Sequence, residues 1–235
     1  MSDDPSHALQ SLASLEEAVH SSSAEALKAA AADSALDEDL ALALLKRSDL
    51  PAEVLEQISK NAAVVNSRKV KLALLGHAKT PRHVSLALLR KVFTFDLMKV
   101  ALTPVVAGDI KAAAEEVLIK RLESLSLGER ISLARRASGR VVGALLHDPE
   151  TRVIHAALEN SRLTEGFIVR ALMKHGASAA LVRALCEHPK WSLRYEIRVA
   201  LLRNEKTPVR FAQEFAKALS STVLGGRDGS KPSAS

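Results

Sequence analysis

A ten-residue pattern that returns along the chain constrains the fold of this sequence more than any other feature. Each copy joins the apolar end of one helix, a polar turn and the start of another helix. The four copies are LALLKRSDLP at 42–51, LALLGHAKTP at 72–81, AALENSRLTE at 156–165 and VALLRNEKTP at 199–208. A two-helix unit of this size cannot bury its own apolar face, so neighbouring copies must stack. The sequence therefore predicts an all-α chain of stacked helical repeats.

The distances between junctions set the predicted period. GALLHDPETR at 143–152 matches RALCEHPKWS 40 residues later at 183–192, and the decapeptides at 156 and 199 are 43 residues apart. These spacings predict two helices every 40 to 43 residues.

The buried face of each helix is predicted from apolar residues three and seven positions after the turn. The pairs at those positions are Val54 and Ile58, Val84 and Leu88, Ile168 and Leu172, and Phe211 and Phe215. The repeated apolar positions also place Leu74, Leu158 and Leu201 in the core between helices.

Polar residues at the junctions predict where helices begin. Thr80, Thr103 and Thr207 each precede a proline, and their hydroxyls are expected to accept hydrogen bonds from the free amides of the next helix. Ser126 and Glu129 have the spacing of a capping box, which predicts a helix over 127–137.

The chain divides into three predicted regions. Residues 1–34 form an atypical helical cap at the N-terminus, and residues 35–219 form the repeat array. The array has a degenerate middle copy with the helices TFDLMKVAL and AGDIKAAAEEVLIKRLES. Residues 220–235 are rich in Ser and Gly, have no apolar period and are predicted to be a disordered tail.

Composition excludes several other fold classes. The chain of 235 residues has 10 Gly and 8 Pro, which are too few turn residues for a sandwich or barrel of many short strands. Aromatic residues are also few, with 5 Phe, 1 Trp and 1 Tyr. One cysteine excludes an internal disulfide framework. Neither a membrane span nor a secretory signal is predicted, so we expect a cytoplasmic protein.

The charge is distributed unevenly. Residues 1–60 have 4 Lys and Arg against 12 Asp and Glu, whereas residues 61–235 have 29 against 15, a net charge of +14. A basic body of this kind attracts nucleic acid, anionic lipid or an acidic protein surface. The alternative is that Lys and Arg only solvate the outer faces of the helices.

The four decapeptides and the two proline-containing junctions resemble HEAT repeats and the related bacterial leucine-rich variant repeats over roughly residues 35–219. This resemblance implies a right-handed α-solenoid. Proteins of this design serve mainly as scaffolds and binding surfaces, so the resemblance implies an interaction module.

No motif in the sequence predicts chemistry. His77, His147 and His188 occupy equivalent turn positions and are expected to have turn or capping roles. Cys186 lies among apolar residues and is expected to be a buried, inert thiol. Nucleotide-binding loops and metal-ligand spacings are missing, so we expect no catalytic residue, metal or cofactor.

Basic clusters are the candidate binding surface. Trp191 with Arg194 and Arg198 is the strongest, because an indole ring beside two arginines can stack a base or hold a phosphate. The alternative is that Trp191 and Tyr195 fill the seam between repeats while the arginines face water. The complete candidate set is Arg82, Arg90, Lys91, Arg135, Arg136, Arg140, Trp191, Arg194 and Arg198.

The favoured hypothesis is a scaffold that binds a protein or peptide on its curved surface and has no enzymatic activity. The alternative is nucleic-acid binding, with a HEAT-like alkylpurine DNA glycosylase as a less favoured version. The oligomeric state is not predicted.

Overall fold

The structure, a computed structural model, describes residues 15–174 and 176–225, and for residues 221–225 the backbone alone. The described residues form α-helices and short 3-10 turns, and none lies in a β-strand. The all-α prediction is therefore confirmed for these residues. No helix among them is long and apolar enough to cross a bilayer.

The chain divides into two compact units, Met1–Arg121 and Leu122–Ser235. In the first unit, α1 occupies residues 15–20. The helices that follow are α2 (Ala24–Ala32), α3 (Glu38–Leu45), α4 (Ala52–Lys60), α5 (Arg68–Gly76), α6 (Arg82–Leu89), α7 (Thr94–Leu102) and α8 (Gly108–Arg121).

The second unit begins with a 3-10 turn at Leu122–Ser124, and another 3-10 turn, Trp191–Leu193, precedes α14. Its helices are α9 (Leu127–Arg136), α10 (Gly139–Leu145), α11 (Thr151–Leu158), α12 (Glu165–Met173), α13 (Ala179–Glu187), α14 (Tyr195–Leu202) and α15 (Val209–Gly225).

Within each unit, a helix packs on the helix two positions away in the chain. In the first unit α2 packs on α4, α3 on α5, α5 on α7 and α6 on α8. In the second unit α9 packs on α11, α10 on α12, α11 on α13 and α12 on α14. This is a stacked arrangement, and it is consistent with a helical repeat.

The predicted period for two helices is wrong. The decapeptides at 156–165 and 199–208 close α11 and α14, so their 43-residue separation contains three helices. Two-helix steps are shorter, because α9, α11 and α13 begin at 127, 151 and 179. The error arises because the decapeptide marks the ends of helices on both sides of the stack, namely α3, α5, α11 and α14.

The predicted apolar positions form the core. Of the four predicted pairs, seven residues are buried and Phe211 is half-buried. Leu74 and Leu201 are both 0% exposed, and Leu158 is 1% exposed. The helical periodicity thus identified the buried face correctly.

The threonine caps are wrong, although the capping box is confirmed. Thr80 Oγ1 donates to the Leu74 carbonyl at 2.7 Å, and Thr207 Oγ1 donates to the Leu201 carbonyl at 2.6 Å. Both hydroxyls therefore close the preceding helix, because the N-cap position of α6 is taken by Pro81. Ser126 and Glu129 make both capping-box hydrogen bonds at the start of α9.

The ends of the chain differ partly from prediction. The segment 220–225, assigned to the tail, continues α15 as helix to Gly225, and Ser220 Oγ donates back to the Ala216 carbonyl at 2.9 Å. The remaining tail, 226–235, and the first residues of the predicted cap, 1–14, lie outside the described residues.

One class of hydrogen bond ties several helices to the helix two positions earlier. Asn160, just after α11, is 2% exposed. Its Nδ2 donates to the carbonyls of Ala134 and Ala137 at the end of α9, at 2.8 and 3.3 Å, and its Oδ1 accepts the Arg162 amide at 2.7 Å. We call a side chain in this position a bridging side chain.

Bridging side chains recur in both units and satisfy carbonyls that have no partner within their own helix. Arg47 donates to Val19 and Ser21, Asn61 to Ala31 and Asp33, His77 to Arg47, Arg121 to Val92 and Arg90, Trp191 to Leu158, and Asn204 to Leu172.

Candidate binding groove on α12 and α14

The predicted basic clusters lie mostly on exposed helix ends. In the first unit, Arg82 is exposed and its Nε donates to Asp109 Oδ2 at 2.6 Å. Arg90 and Lys91 are exposed just after α6, and the Arg90 carbonyl accepts from the bridging Arg121. In this unit the predicted set is therefore dispersed, with Arg82 in an ion pair.

In the second unit, the aromatic residue of the predicted site is buried. Trp191 is 2% exposed, and its Nε1 donates to the Leu158 carbonyl at 2.8 Å. Lys190 Nζ covers the indole ring at 4.1 Å from the ring centre. Trp191 is thus buried against the end of α11, as the alternative interpretation held, and is not exposed for stacking on a base. The same interpretation is wrong for Tyr195, which is 53% exposed.

The two arginines near Trp191 have partners of their own. Arg194 Nε lies 3.3 Å from Glu165 Oε1, and Arg198 Nε donates to the Ser192 carbonyl at 2.7 Å. The Arg198 guanidinium also stands 5.6 Å from the centre of the Phe215 ring. Arg135, Arg136 and Arg140 are exposed on α9 and α10.

Two of the three histidines have structural roles in turns, and the third, His147, is half-buried. His77 and His188 each accept a backbone amide at Nδ1, from Lys79 at 3.2 Å and from Lys190 at 3.1 Å. Their predicted turn role is therefore confirmed. For His147, burial and the nearby Lys174 ammonium lower the pKa below its ordinary value.

No metal or nucleophile site is apparent in the described part of the chain. Among these residues no three His, Cys, Asp or Glu side chains are grouped to hold a metal ion. Cys186 is buried, and burial raises the pKa of its thiol to about 11. Its thiolate is therefore disfavoured at neutral pH, as predicted for an inert thiol.

The second unit has an apolar groove of about 720 Å³ between α12 and α14. Its apolar lining comes from Gly166, Val169 and Met173. Met173 is 70% exposed, which is unusual for a long apolar side chain on a packed helix. A smaller depression continues the same surface along α14 past Val199.

Charged residues border this groove. Glu165 and Glu196 lie on one side, and Arg170 and Lys174 lie toward the end of α12. The Arg194–Glu165 ion pair connects the first turns of α14 and α12. The groove thus has an apolar floor and a charged rim, which is the usual anatomy of a peptide-binding surface.

Sequence reasoning missed this groove, although a signal was present. Ile168 and Leu172 face the core, and the residues directly after them, Val169 and Met173, are also apolar. The apolar surface of α12 is therefore wider than packing on its neighbours requires. The exposed half of that surface is the groove floor.

Comparisons with known proteins give no family for this chain. No family model matches it, and neither the curated proteins nor the solved structures contain a significant match.

Proposed function

We propose that this chain is a HEAT-like α-solenoid interaction module without enzymatic activity, and that it binds an apolar peptide segment of a partner protein in the α12–α14 groove. The observation that carries the proposal is the apolar groove floor, formed by the half-buried Val169 and by Met173, which is 70% exposed. Water is displaced from such a surface when apolar side chains cover it, which supplies the driving force for binding.

Peptide binding is favoured over nucleic-acid binding by the state of the predicted basic site. Trp191 is buried, and Arg194 and Arg198 engage Glu165 and the Ser192 carbonyl. A site for nucleic acid normally exposes aromatic rings and leaves its cations for phosphates. The second unit still has an excess of positive charge, since Leu122–Ser235 contains 18 Lys and Arg against 11 Asp and Glu.

The test uses an array of immobilised 15-residue peptides of random sequence, probed with the full chain. We expect a subset of peptides to bind, and we expect Met173→Glu to weaken their binding at least about tenfold, because burying or displacing an added carboxylate in an apolar groove is costly. Met173 is exposed, so this substitution leaves the core intact.

The matched control is Val209→Glu, which places the same charge on another exposed apolar residue of the same unit. Val209 does not line the groove. The proposal is overturned if no peptide binds, or if Met173→Glu binds the same peptides as well as Val209→Glu does.

A further inference from the structure

The α12–α14 groove lies between two helices that run in the same direction. The Arg194–Glu165 ion pair joins their first turns. Asn204 Nδ2, just after α14, donates to the Leu172 carbonyl near the end of α12 at 3.4 Å. The groove borders α12 from Glu165 to Lys174, a length of about 13 Å at a rise of about 1.5 Å per residue. Another helix would cover this length with two to three turns.

The floor of the groove is poor in hydrogen-bond partners for a peptide backbone. Its side chains are those of Val169 and Met173 on α12, and of Val199 where the smaller depression continues on α14. The backbone amides of these three residues lie inside helices and bond to the carbonyls four residues earlier. None of the described residues lies in a β-strand, so no strand edge among them pairs with an extended peptide.

Such a floor penalises an extended peptide and favours a helical one. Each backbone group of an extended peptide that faces the floor loses water without gaining a partner, which costs free energy of binding. A helix satisfies its own amides and carbonyls before it touches the floor. An amphipathic helix also presents a stripe of apolar side chains that packs into the furrow between two other helices.

The charged border gives the bound segment a direction. Glu165 and Glu196 belong to the first turns of α12 and α14, whereas Arg170 and Lys174 lie toward the end of α12. A segment with a basic residue over the first turns and an acidic residue over the end of α12 meets opposite charges at both ends. The reverse order meets like charges and is disfavoured.

We infer that the groove binds an amphipathic α-helix of the partner, with apolar residues three and four positions apart, a basic residue beside Glu196 and an acidic residue beside Lys174. This inference rests on the proposed function. It specifies the conformation of the partner segment and the order of its charges.

The first experiment determines the conformation of peptides that bind the array in a Met173-dependent way. Each position of such a peptide is replaced by alanine in turn, and the dissociation constant for the full chain is measured by fluorescence anisotropy at about 150 mM salt. The positions at which alanine weakens binding at least about fivefold should recur at spacings of three and four, because one face of a helix meets the groove.

A proline variant of the same peptide gives an independent measure. Proline is placed at a central position where alanine has no effect, and the alanine form is its matched control. Proline should weaken binding at least about thirtyfold, because it interrupts the helix without removing a contact. The α-carbon NMR shifts of the bound, carbon-13-labelled peptide should also move to helical values.

Charge reversal tests the order of the charges. We expect the binding peptides to carry Lys or Arg near one end of the apolar stripe. Glu196→Lys should weaken their binding at least about fivefold, and replacing the basic residue of the peptide by Glu should restore the affinity for this variant. Glu205→Lys reverses another exposed acidic residue, which lies outside the groove, and should change the affinity less than about twofold.

Four results would overturn the inference while leaving the proposed function standing. They are alanine-sensitive positions that alternate with a period of two, a tolerated central proline, binding peptides without a basic residue at either end of the stripe, and equal effects of Glu196→Lys and Glu205→Lys. A dimer of the chain in sedimentation equilibrium that Met173→Glu dissociates would assign the groove to a second copy and would also overturn it. Failure of Met173 dependence on the array would instead overturn the proposed function.

Discussion

Replacing Asn160 by alanine should destabilise the second unit more than its size suggests. The substitution removes a buried amide that donates two hydrogen bonds to the last carbonyls of α9. It also removes the acceptor that fixes the turn at the Arg162 amide. The carbonyls of Ala134 and Ala137 lose the side-chain donor that joins α9 to α11.

The expected loss follows from those three bonds. Each donated hydrogen bond contributes about 0.5–1.5 kcal/mol net, and an acceptor left buried without a partner costs about 1–3 kcal/mol. The third bond is made to an exposed residue and contributes about 1 kcal/mol or less. Since such contributions overlap when they share one side chain, we expect a total loss of about 2–4 kcal/mol in the free energy of unfolding.

Urea unfolding followed by tryptophan fluorescence measures this loss. Trp191 is the single tryptophan of the chain, and it is buried against the end of α11, close to the substitution. The urea concentration at half unfolding should fall, while the slope of the free energy of unfolding against urea concentration stays constant. A constant slope separates a change of stability from a change of the unfolded state.

Two related variants test the reasoning. Asn204→Ala removes one bridging bond of 3.4 Å from a half-buried side chain, so it should cost about 1 kcal/mol or less. Asn160→Asp keeps the turn acceptor but removes both donors, and it should cost at least as much as Asn160→Ala. A loss below about 1 kcal/mol for Asn160→Ala, or equal losses for Asn160→Ala and Asn204→Ala, would refute the bridging role.

Four further outcomes are expected. Leu201→Ala should lower the free energy of unfolding by about 2–5 kcal/mol through lost burial and a cavity, and a loss below about 1 kcal/mol in urea unfolding would place Leu201 outside the core. Cys186 should react with a thiol reagent at pH 8 about a hundredfold more slowly than a free cysteine, because its pKa is about 11, and rapid reaction of the folded chain would contradict this. The hydrogen bond from Arg68 holds the pKa of Asp96 below its ordinary value. The Asp96 carboxylate therefore stabilises the fold above about pH 4, and this contribution is lost as the pH falls through the lowered pKa. Asp96→Asn should remove this contribution to the pH dependence of the free energy of unfolding between pH 2 and 6, and an unchanged dependence would contradict the prediction. The Arg194→Ala, Arg198→Ala double variant should leave weak duplex DNA binding at about 150 mM salt unaltered, whereas a salt slope reduced by about 1–2 would support nucleic-acid binding instead.

The helices and their buried faces could be predicted because they depend on local periodicity. The segment TFDLMKVAL is helix α7 from its first residue to its last, and the capping box at Ser126 begins α9. The period could not be read correctly, because similar apolar helix ends occur on both sides of the stack. Only the packing of each helix on the helix two positions earlier distinguishes the two sides.

The bridging side chains had a signal in the decapeptides that was overlooked. The sixth residue is Arg47, His77 and Asn204 in three copies, and the fifth is Asn160 in the remaining copy. All four side chains carry an N–H donor, although their chemistry otherwise differs. Their acceptors lie 23 to 32 residues earlier in the chain, so local reasoning about turns could not identify them.

The candidate groove could not be predicted for a related reason. The sequence shows that Val169 and Met173 are apolar, but it does not show that α14 leaves them uncovered. The burial of Trp191 could not be predicted either, since a lone tryptophan between cations is equally compatible with an exposed position and a core position. Side-chain exposure at both places depends on packing that the one-dimensional pattern does not contain.

The bridging side chains also limit how such a chain can change its length. Each one connects a helix to the helix two positions before it, so a single inserted helix would give the next two helices partners from the opposite side of the stack. Inserting or deleting two consecutive helices would keep every helix on its own side. The smallest heritable change of length that preserves this alternation is therefore a pair of helices, even though the decapeptide that ends α3, α5, α11 and α14 makes a single helix look like an independent module.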